Sequence, residues 1–273
     1  MRFASYLHDT SPAFQDALTD GVSGQFAVAV IGAGFTGLSA ARHLAKAGAS
    51  VAVLEAEHVG AGASGRNGGH LNNGLAHGFS AAQKSLGPER AKALYQAFDA
   101  SITAIEDIIR EERIACDFRR SGKLKLASKA THLPALRANF DLIQRAVDPD
   151  DKADLADEIG SDRFHGALLY RKSAMMHMGR YLQGLAQAAH RHGAQIWHKA
   201  PVTGRRKTSK GWELATPKGT LSARSMIVAT NGYSCQVKST PLRHFQRRII
   251  PEGSIIIATR QLSASEMAAT QPS

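Results

Sequence analysis

The sequence predicts an α/β fold, and three features of its first sixty residues predict it. Residues 26–31 (Phe-Ala-Val-Ala-Val-Ile) have the unbroken hydrophobicity of a strand buried on both faces in a parallel sheet. A Gly32-x-Gly34-x-x-Gly37 turn follows directly, and 38–47 places Leu38, Ala41, Leu44 and Ala45 on one helical face before Gly48 closes the helix. Residues 50–55 form a second apolar strand that ends on an acid. Together they make one βαβ unit of about 30 residues.

The spacing carries a chemical meaning. Gly32 allows a tight turn out of the strand, Gly34 lets the backbone approach a pyrophosphate, and Gly37 lets the helix pack close to the strand. Phosphates would sit on the positive end of the helix that begins near Phe35 and Thr36. Glu55, with Ala56 beside it, lies eighteen residues past Gly37, where a carboxylate can accept hydrogen bonds from an adenosine ribose. An acid there disfavours a 2′-phosphate and so argues against NADP. A glycine triplet alone is weak evidence, and the flanking strand, helix and acid are the context it needs.

NAD and FAD share this fingerprint. After Glu55, however, the chain enters Gly62-Ala63-Ser64-Gly65-Arg66-Asn67-Gly68-Gly69-His70 instead of a further helix and strand. Such a loop offers backbone amides plus Ser64, Arg66 and Asn67 as donors, which suits the longer FAD. An NAD-dependent dehydrogenase stays open on these residues alone.

The rest of the chain reads as follows. Residues 1–25 form an arm that packs on the domain. Gly87-Pro88 introduces a long helix whose Leu94, Phe98, Ile102, Ile105, Ile108 and Ile109 read as core packing. Leu124 and Leu126 alternate with lysines in a strand, and Leu136, Phe140 and Ile143 mark a helix that ends before the solvated run 148–152. Tyr181, Leu182, Leu185 and Ala189 outline another helix. Strands are expected at 195–198, 212–215 and 225–229, with 212–215 and 219–222 joined as a hairpin. The division expected is 26–115 with 178–240 as a cofactor domain, and 116–177 with 241–273 as an interleaved substrate domain.

Composition narrows the class. The chain has 273 residues and two cysteines, Cys116 and Cys235, without a CxxC pair, which argues against a disulfide scaffold or zinc and suits the cytoplasm. No metal site is expected, and His177 reads as packing. The most apolar stretch, 26–41, is too short and glycine-rich for a membrane span. The net charge is +11, but the clusters 119–120, 205–207 and 247–248 lack interleaved aromatics, so nucleic acid is not the expected partner. A flavin enzyme acting on modified RNA would need salt-sensitive RNA binding to stand.

A resemblance sharpens this. Ser5-Tyr6, the run 30–41, the loop 62–69, Gly122-x-Leu124-x-Leu126-Ala127, Gly184-Leu185-Ala186, Gly193-Ala194 and Ala229-Thr230-Asn231-Gly232-Tyr233 resemble the D-amino acid oxidase-type FAD-dependent oxidoreductases. Within them they are most similar to the gamma-glutamylputrescine oxidoreductase-like branch. The resemblance implies a Rossmann-like FAD-binding domain interleaved with a partial antiparallel α+β substrate domain. It implies that Gly32, Gly34, Thr36 and Gly37 meet the pyrophosphate side, and Glu55 the ribose. Ser64, Arg66, Asn67, Gly68 and Gly69 would line the approach to the flavin. Val202 would touch adenine, and Ala229, Thr230 and Gly232 would return the chain to the cofactor. His70 is expected to hydrogen-bond or face substrate rather than carry the flavin covalently. Relatives usually have proline at Met178, which puts the local turn in question.

The implied activity oxidises a C–N bond of an amine or amino acid by hydride transfer to the flavin, with O₂ or another acceptor taking the electrons. No general base can be named. Family members are considerably longer, so the chain is expected to be a truncated product, with 249–251 and 255–257 starting a substrate-domain sheet. A non-catalytic flavin-binding remnant is the alternative.

Overall fold

The computed structural model describes residues 5–75, 78–146, 163–235, 244 and 248–270; the acidic run 148–152 lies outside them. In chain order the elements are α1 (Tyr6–Asp9), β1 (Gln25–Ile31), α2 (Phe35–Lys46), β2 (Val51–Leu54), β3 (His70–Leu71), α3 (Phe79–Leu86) and α4 (Pro88–Glu112). Next come β4 (Lys123–Leu126), α5 (Leu133–Ala146), β5 (Ala167–Tyr170), β6 (Ala174–Met175), α6 (Met178–Arg191) and β7 (Gln195–Trp197). The last are β8 (Gly204–Thr208), β9 (Gly211–Thr216), β10 (Gly219–Val228) and α7 (Ala264–Thr270).

Met1–Gly68, Glu112–Cys116 and His177–Ile256 make one compact unit around a sheet of order β7-β2-β1-β10-β9-β8. The four strands from β7 to β10 run parallel, so Val30 sits between Val53 on one side and Ile227 on the other. The chain leaves β1 through α2 to one side, while β10 occupies the other. The strand order therefore reverses at β1, and such a reversal opens a crevice at the carboxyl edge. Ala29, Ile31, Ala52, Leu54, Trp197, Leu214, Leu221 and Ala223 form a buried core cluster. Helix α2 packs on β1 and β2, and α6 packs on α2, burying Leu38, Ala41, Ala45, Leu182, Leu185 and Ala189.

Within this unit two strands differ from expectation. The stretches 219–222 and 225–229 are one ten-residue strand, β10, whose first half pairs antiparallel with β9 and whose second half pairs parallel with β1. The basic cluster 205–207 lies in an edge strand, β8. Its Gly-Arg-Arg-Lys-Thr sequence has no apolar alternation because little of it is buried. Arg205 instead stacks over Trp212 at 5.4 Å, and Arg206 pairs with Glu213 at 2.7 Å. Charge on an edge strand opposes unwanted strand addition.

The arm is integrated into this unit. Leu18 and Val22 bridge to Trp197 and Gly219, and Leu7 and Phe14 are buried. Glu112 at the end of α4, buried with Arg42, anchors an ion cluster that reaches the surface: Arg42 Nε donates to it at 2.6 Å, Arg191 at 2.9 Å, and His192 Nε2 lies 2.9 Å away. Burial pushes the Glu112 carboxyl up, but the hydrogen bonds from His192, Arg42 and Arg191 outweigh it and hold the pKa at about 2.

Gly69–Glu111, Asp117–Met176 and Ile257–Ser273 make the second unit. Segment 69–111, expected with the cofactor domain, groups here because β3 pairs with β6 and α3 packs on α5. Its core joins Phe79, Ala82, Ala91, Tyr95, Phe140, Ile143, Leu168 and Tyr170, with β4 antiparallel to β5. The expected core face of α4 holds in its second half, where Ile102 is buried and Ile105, Ile108 and Ile109 are half-buried; in its first half Ala91 and Tyr95 are buried and Leu94 and Phe98 exposed. Residues 249–257 form no strand, and Ile250, Ile255, Ile256 and Ile257 are exposed. Their apolar pattern has no sheet partner among the described residues. No helix is long and apolar enough to cross a membrane, among the described residues.

Candidate functional site

The carboxyl ends of β1, β2 and β10 open onto a cleft of about 410 Å³ within the first unit. Its floor is the glycine turn. Gly32 has φ +102°, and a Cβ there would lie 2.9 Å from the Ala229 carbonyl oxygen, so the turn can approach the end of β10 only without a side chain. A Cβ on Gly37 would overlap the Gly32 carbonyl oxygen, which is the close helix–strand packing the spacing predicts.

The second glycine loop is tied to the first. Gly34 caps α2, and the Phe35 amide, the first of the helix, donates to Ser64 Oγ at 3.2 Å. Asn67 Nδ2 donates to the Ser64 carbonyl at 2.9 Å, and Arg66 Nε to the Ala61 carbonyl at 3.0 Å. These two side chains hold the shape of the loop. Ala61, Gly62, Ala63 and Ser64 form one wall of the cleft.

Glu55 stands at the end of β2. Its Oε2 accepts from the Ala33 amide at 2.7 Å and its Oε1 from the Glu57 amide at 3.0 Å. The Ala200 amide donates to the Glu55 carbonyl at 2.8 Å, and the Lys199 amide to the Glu57 carbonyl at 2.9 Å. That zipper brings Pro201, Val202 and Thr203 to the cleft beside the carboxylate. On the opposite side Ala229 and Thr230 leave β10. Ser234 Oγ donates to the Asn231 carbonyl at 2.8 Å and Thr230 Oγ1 lies 2.6 Å from Ser234 Oγ, which rigidifies the turn.

The cleft thus gathers Gly32, Gly34, Glu55, Ala56, Ala63, Ser64, Val202, Ala229 and Thr230 from the sequence-derived set. Phe35, Gly37, Arg66, Asn67, Gly68 and Gly232 do not line it; Gly37 supports the turn from behind, and Arg66 and Asn67 brace the loop. Thr36 is directed to a separate shallow hollow with Ser39, Ala40, His43, Leu44 and Ile227. Gly69 and His70 belong to the second unit, where His70 is exposed and paired with Met175. The sequence reading missed Glu57, Gly60, Asn231, Tyr233 and Ser234 as lining residues. Tyr233 had a usable signal, because it closes the Ala-Thr-Asn-Gly-Tyr element; a Cβ on Gly62 would lie 3.0 Å from its ring.

Two histidines behind the site have defined roles. His177 caps α6: its Nδ1 accepts from the Arg180 amide at 3.2 Å and its Nε2 meets Thr10 Oγ1 at 2.8 Å. Met178 therefore opens the helix directly after a side-chain cap. His198 Nε2 accepts from the Val59 amide at 3.1 Å, and burial, His58 and Lys218 hold its pKa below the ordinary histidine value. Burial, with Cys116 nearby, pushes the Tyr181 phenol up to about 12, so it stays protonated at neutral pH.

Known proteins can now be set beside this geometry. The profile of the FAD dependent oxidoreductase family matches residues 27–272. A probable oxidoreductase, OrdL, of Haemophilus influenzae is 34% identical over 241 residues, covering 86% of this chain and 56% of that protein. Gamma-glutamylputrescine oxidoreductase of Escherichia coli is 34% identical over 240 residues, covering 86% of this chain and 55% of its own. The chain spans about half the length of these relatives. The L-amino acid deaminase structure from Proteus vulgaris superposes with a TM-score of 0.67 at 17% identity, over 81% of this chain and 51% of that one, a likeness of fold alone. Since the family profile takes in nearly the whole sequence, glycine turn and terminal acid included, the chain belongs to the FAD dependent oxidoreductase family.

Proposed function

We propose that this chain binds FAD in the first-unit cleft and serves an oxidation of a C–N bond in an amine or amino acid. One observation carries the reading: a glycine turn, a helix N-terminus and a ribose-height carboxylate converge at the carboxyl edge of the sheet, where β1 separates β2 from β10. Gly32 and Gly34 admit the pyrophosphate to the backbone, and the first turn of α2, from Phe35 through Thr36 to Gly37, turns its positive end toward it. Glu55, oriented by the Ala33 and Glu57 amides, keeps lone pairs for the ribose hydroxyls. Val202, which lines the cleft beside Glu55, would lie against adenine. Ser64, in the loop that Arg66 and Asn67 brace, would close the pyrophosphate side, and Ala229, Thr230 and Gly232 would bring the chain back to the cofactor.

FAD held in this cleft would supply the hydride acceptor for the carbon beside the nitrogen, and the residues of this chain would bind and orient it. The proposed substrate class is supported by the 34%-identical relative named for gamma-glutamylputrescine. O₂ or another acceptor takes the electrons. The test is to incubate the purified chain with FAD, remove free cofactor and record the absorption spectrum, then assay a panel of amines and amino acids for imine or peroxide. A flavin spectrum with turnover supports the reading. A colourless protein contradicts it, and a yellow protein inert toward every amine contradicts its catalytic half.

A further inference from the structure

The wall formed by the second glycine loop is held from behind by residues outside the glycine motifs. His8 of α1 lies with Nε2 2.8 Å from the Gly60 carbonyl oxygen, and because a carbonyl only accepts, that nitrogen carries the proton. Ser5 Oγ donates to the Gly65 carbonyl at 3.1 Å. A Cβ on Gly65 would lie 2.7 Å from His8 Nε2, so the two ends of the loop close directly against this histidine. Val59, just before the loop and almost fully buried, has both backbone groups taken by side chains: its amide donates to His198 and its carbonyl accepts from Gln183 at 3.3 Å. Gln183 Oε1 accepts from the Phe14 amide of the arm at 2.9 Å. The arm is itself seated on α6, where Arg180 Nε donates to the Thr10 carbonyl at 3.3 Å.

We propose that the amino-terminal arm is a positioning clamp for the cofactor loop, with His8 and Ser5 setting the wall that Gly60 to Ser64 present to the dinucleotide. The proposal rests on the cleft being the FAD site. The loop is rich in glycine and would otherwise sample many conformations, so binding would have to order it. The arm orders it beforehand. These residues are positioning residues, since they touch the loop and not the cofactor.

The test compares the full 273-residue chain with His8→Ala, His8→Gln and Ser5→Ala by two readouts. The first is amide hydrogen exchange of the peptide covering 57–66 without cofactor. The second is the Kd for FAD from quenching of flavin fluorescence. Glutamine can donate to the Gly60 carbonyl from a similar position; alanine cannot. His8→Ala should speed exchange in this peptide while leaving β1 and β2 protected, and should raise the FAD Kd roughly threefold to tenfold, the worth of one hydrogen bond. His8→Gln should restore both, and Ser5→Ala should move both in the same direction as His8→Ala. Unchanged exchange in His8→Ala overturns the clamp whatever the Kd does. Faster exchange with an unchanged Kd overturns its link to the cofactor. A wild-type chain with a protected loop that takes up no FAD overturns the cofactor reading itself, and shows in the binding readout alone.

Discussion

The Ala33 amide donates to Glu55 Oε2 at 2.7 Å, tying the end of β2 to the turn that leaves β1. The acid is therefore a structural part of the glycine turn as well as a group facing the cleft. Glu55→Gln retains the shape of the side chain but replaces one acceptor oxygen with a donor, leaving either Ala33 or Glu57 without its partner. Hydrogen bonds to charged groups contribute about 1.5–3 kcal/mol. The FAD Kd should rise at least about tenfold, since 1.4 kcal/mol is a factor of ten. A fluorescence titration checks it, with circular dichroism confirming an intact fold.

Gly37 and Gly48 separate two reasons for glycine. A Cβ at Gly37 would overlap the Gly32 carbonyl oxygen, whereas nothing lies within 4 Å of one at Gly48, which has φ +84°. Gly37→Ala should cost about 1–3 kcal/mol through overpacking and displace the turn. Gly48→Ala should cost only about 1 kcal/mol, from the left-handed backbone. Urea unfolding of both variants measures the difference, and only Gly37→Ala should also weaken FAD binding.

Glu112 predicts an acid-sensitive fold. Its folded pKa of about 2 lies below the ordinary 4.5, so the unfolded chain takes up this proton first. The stability it contributes is present above pH 4.5 and is lost as pH falls toward about 2. Because Arg191 and His192 are partly exposed, solvent screening leaves the shift a contribution of about 1–3 kcal/mol. Glu112→Gln should destabilise the neutral-pH protein by a similar amount, because it removes the carboxylate charge that the buried Arg42 donates to. Its stability should then vary less than wild type below pH 4.5, as urea midpoints across that range would record.

His198 acts at milder acidity. Its folded pKa is lowered from 6.5 by burial, His58 and Lys218, so its contribution is complete above pH 6.5 and declines as pH falls below it. Protonation also removes the Nε2 lone pair that receives the Val59 amide. His198→Gln offers an acceptor that does not titrate, and should flatten the fall in stability just below pH 6.5. Thermal midpoints between neutral and mildly acidic buffer follow it directly.

The parts of the molecule legible in its sequence were those where local pattern and long-range packing agree. Strands β1 and β2 are buried parallel strands and read as unbroken apolar runs, and the glycine spacing between them follows from contacts made within a few residues. Leu94 and Phe98 misled because helical period marks a stripe without saying which neighbours cover it; Tyr95 and Ala91 took the buried positions. Strand β8 was hidden because an edge strand of Gly-Arg-Arg-Lys-Thr is stabilised by Trp212 and Glu213 across the hairpin, not by its own pattern. The same reason concealed His8 and Gln183. Their partners lie 52 and 124 residues away, and no spacing rule reaches that far.

If the dinucleotide sits against the glycine turn of the first unit, a side chain at Gly34 must exclude it. A Cβ there would lie 2.9 Å from Ser64 Oγ, where the proposed pyrophosphate would approach the backbone. The measurement is an FAD titration of the wild-type chain and Gly34→Val, followed by flavin fluorescence. Saturable binding by wild type, lost in a folded Gly34→Val, is the predicted result. Equal binding by both, or no FAD binding by wild type alongside tight binding of NAD, would contradict it.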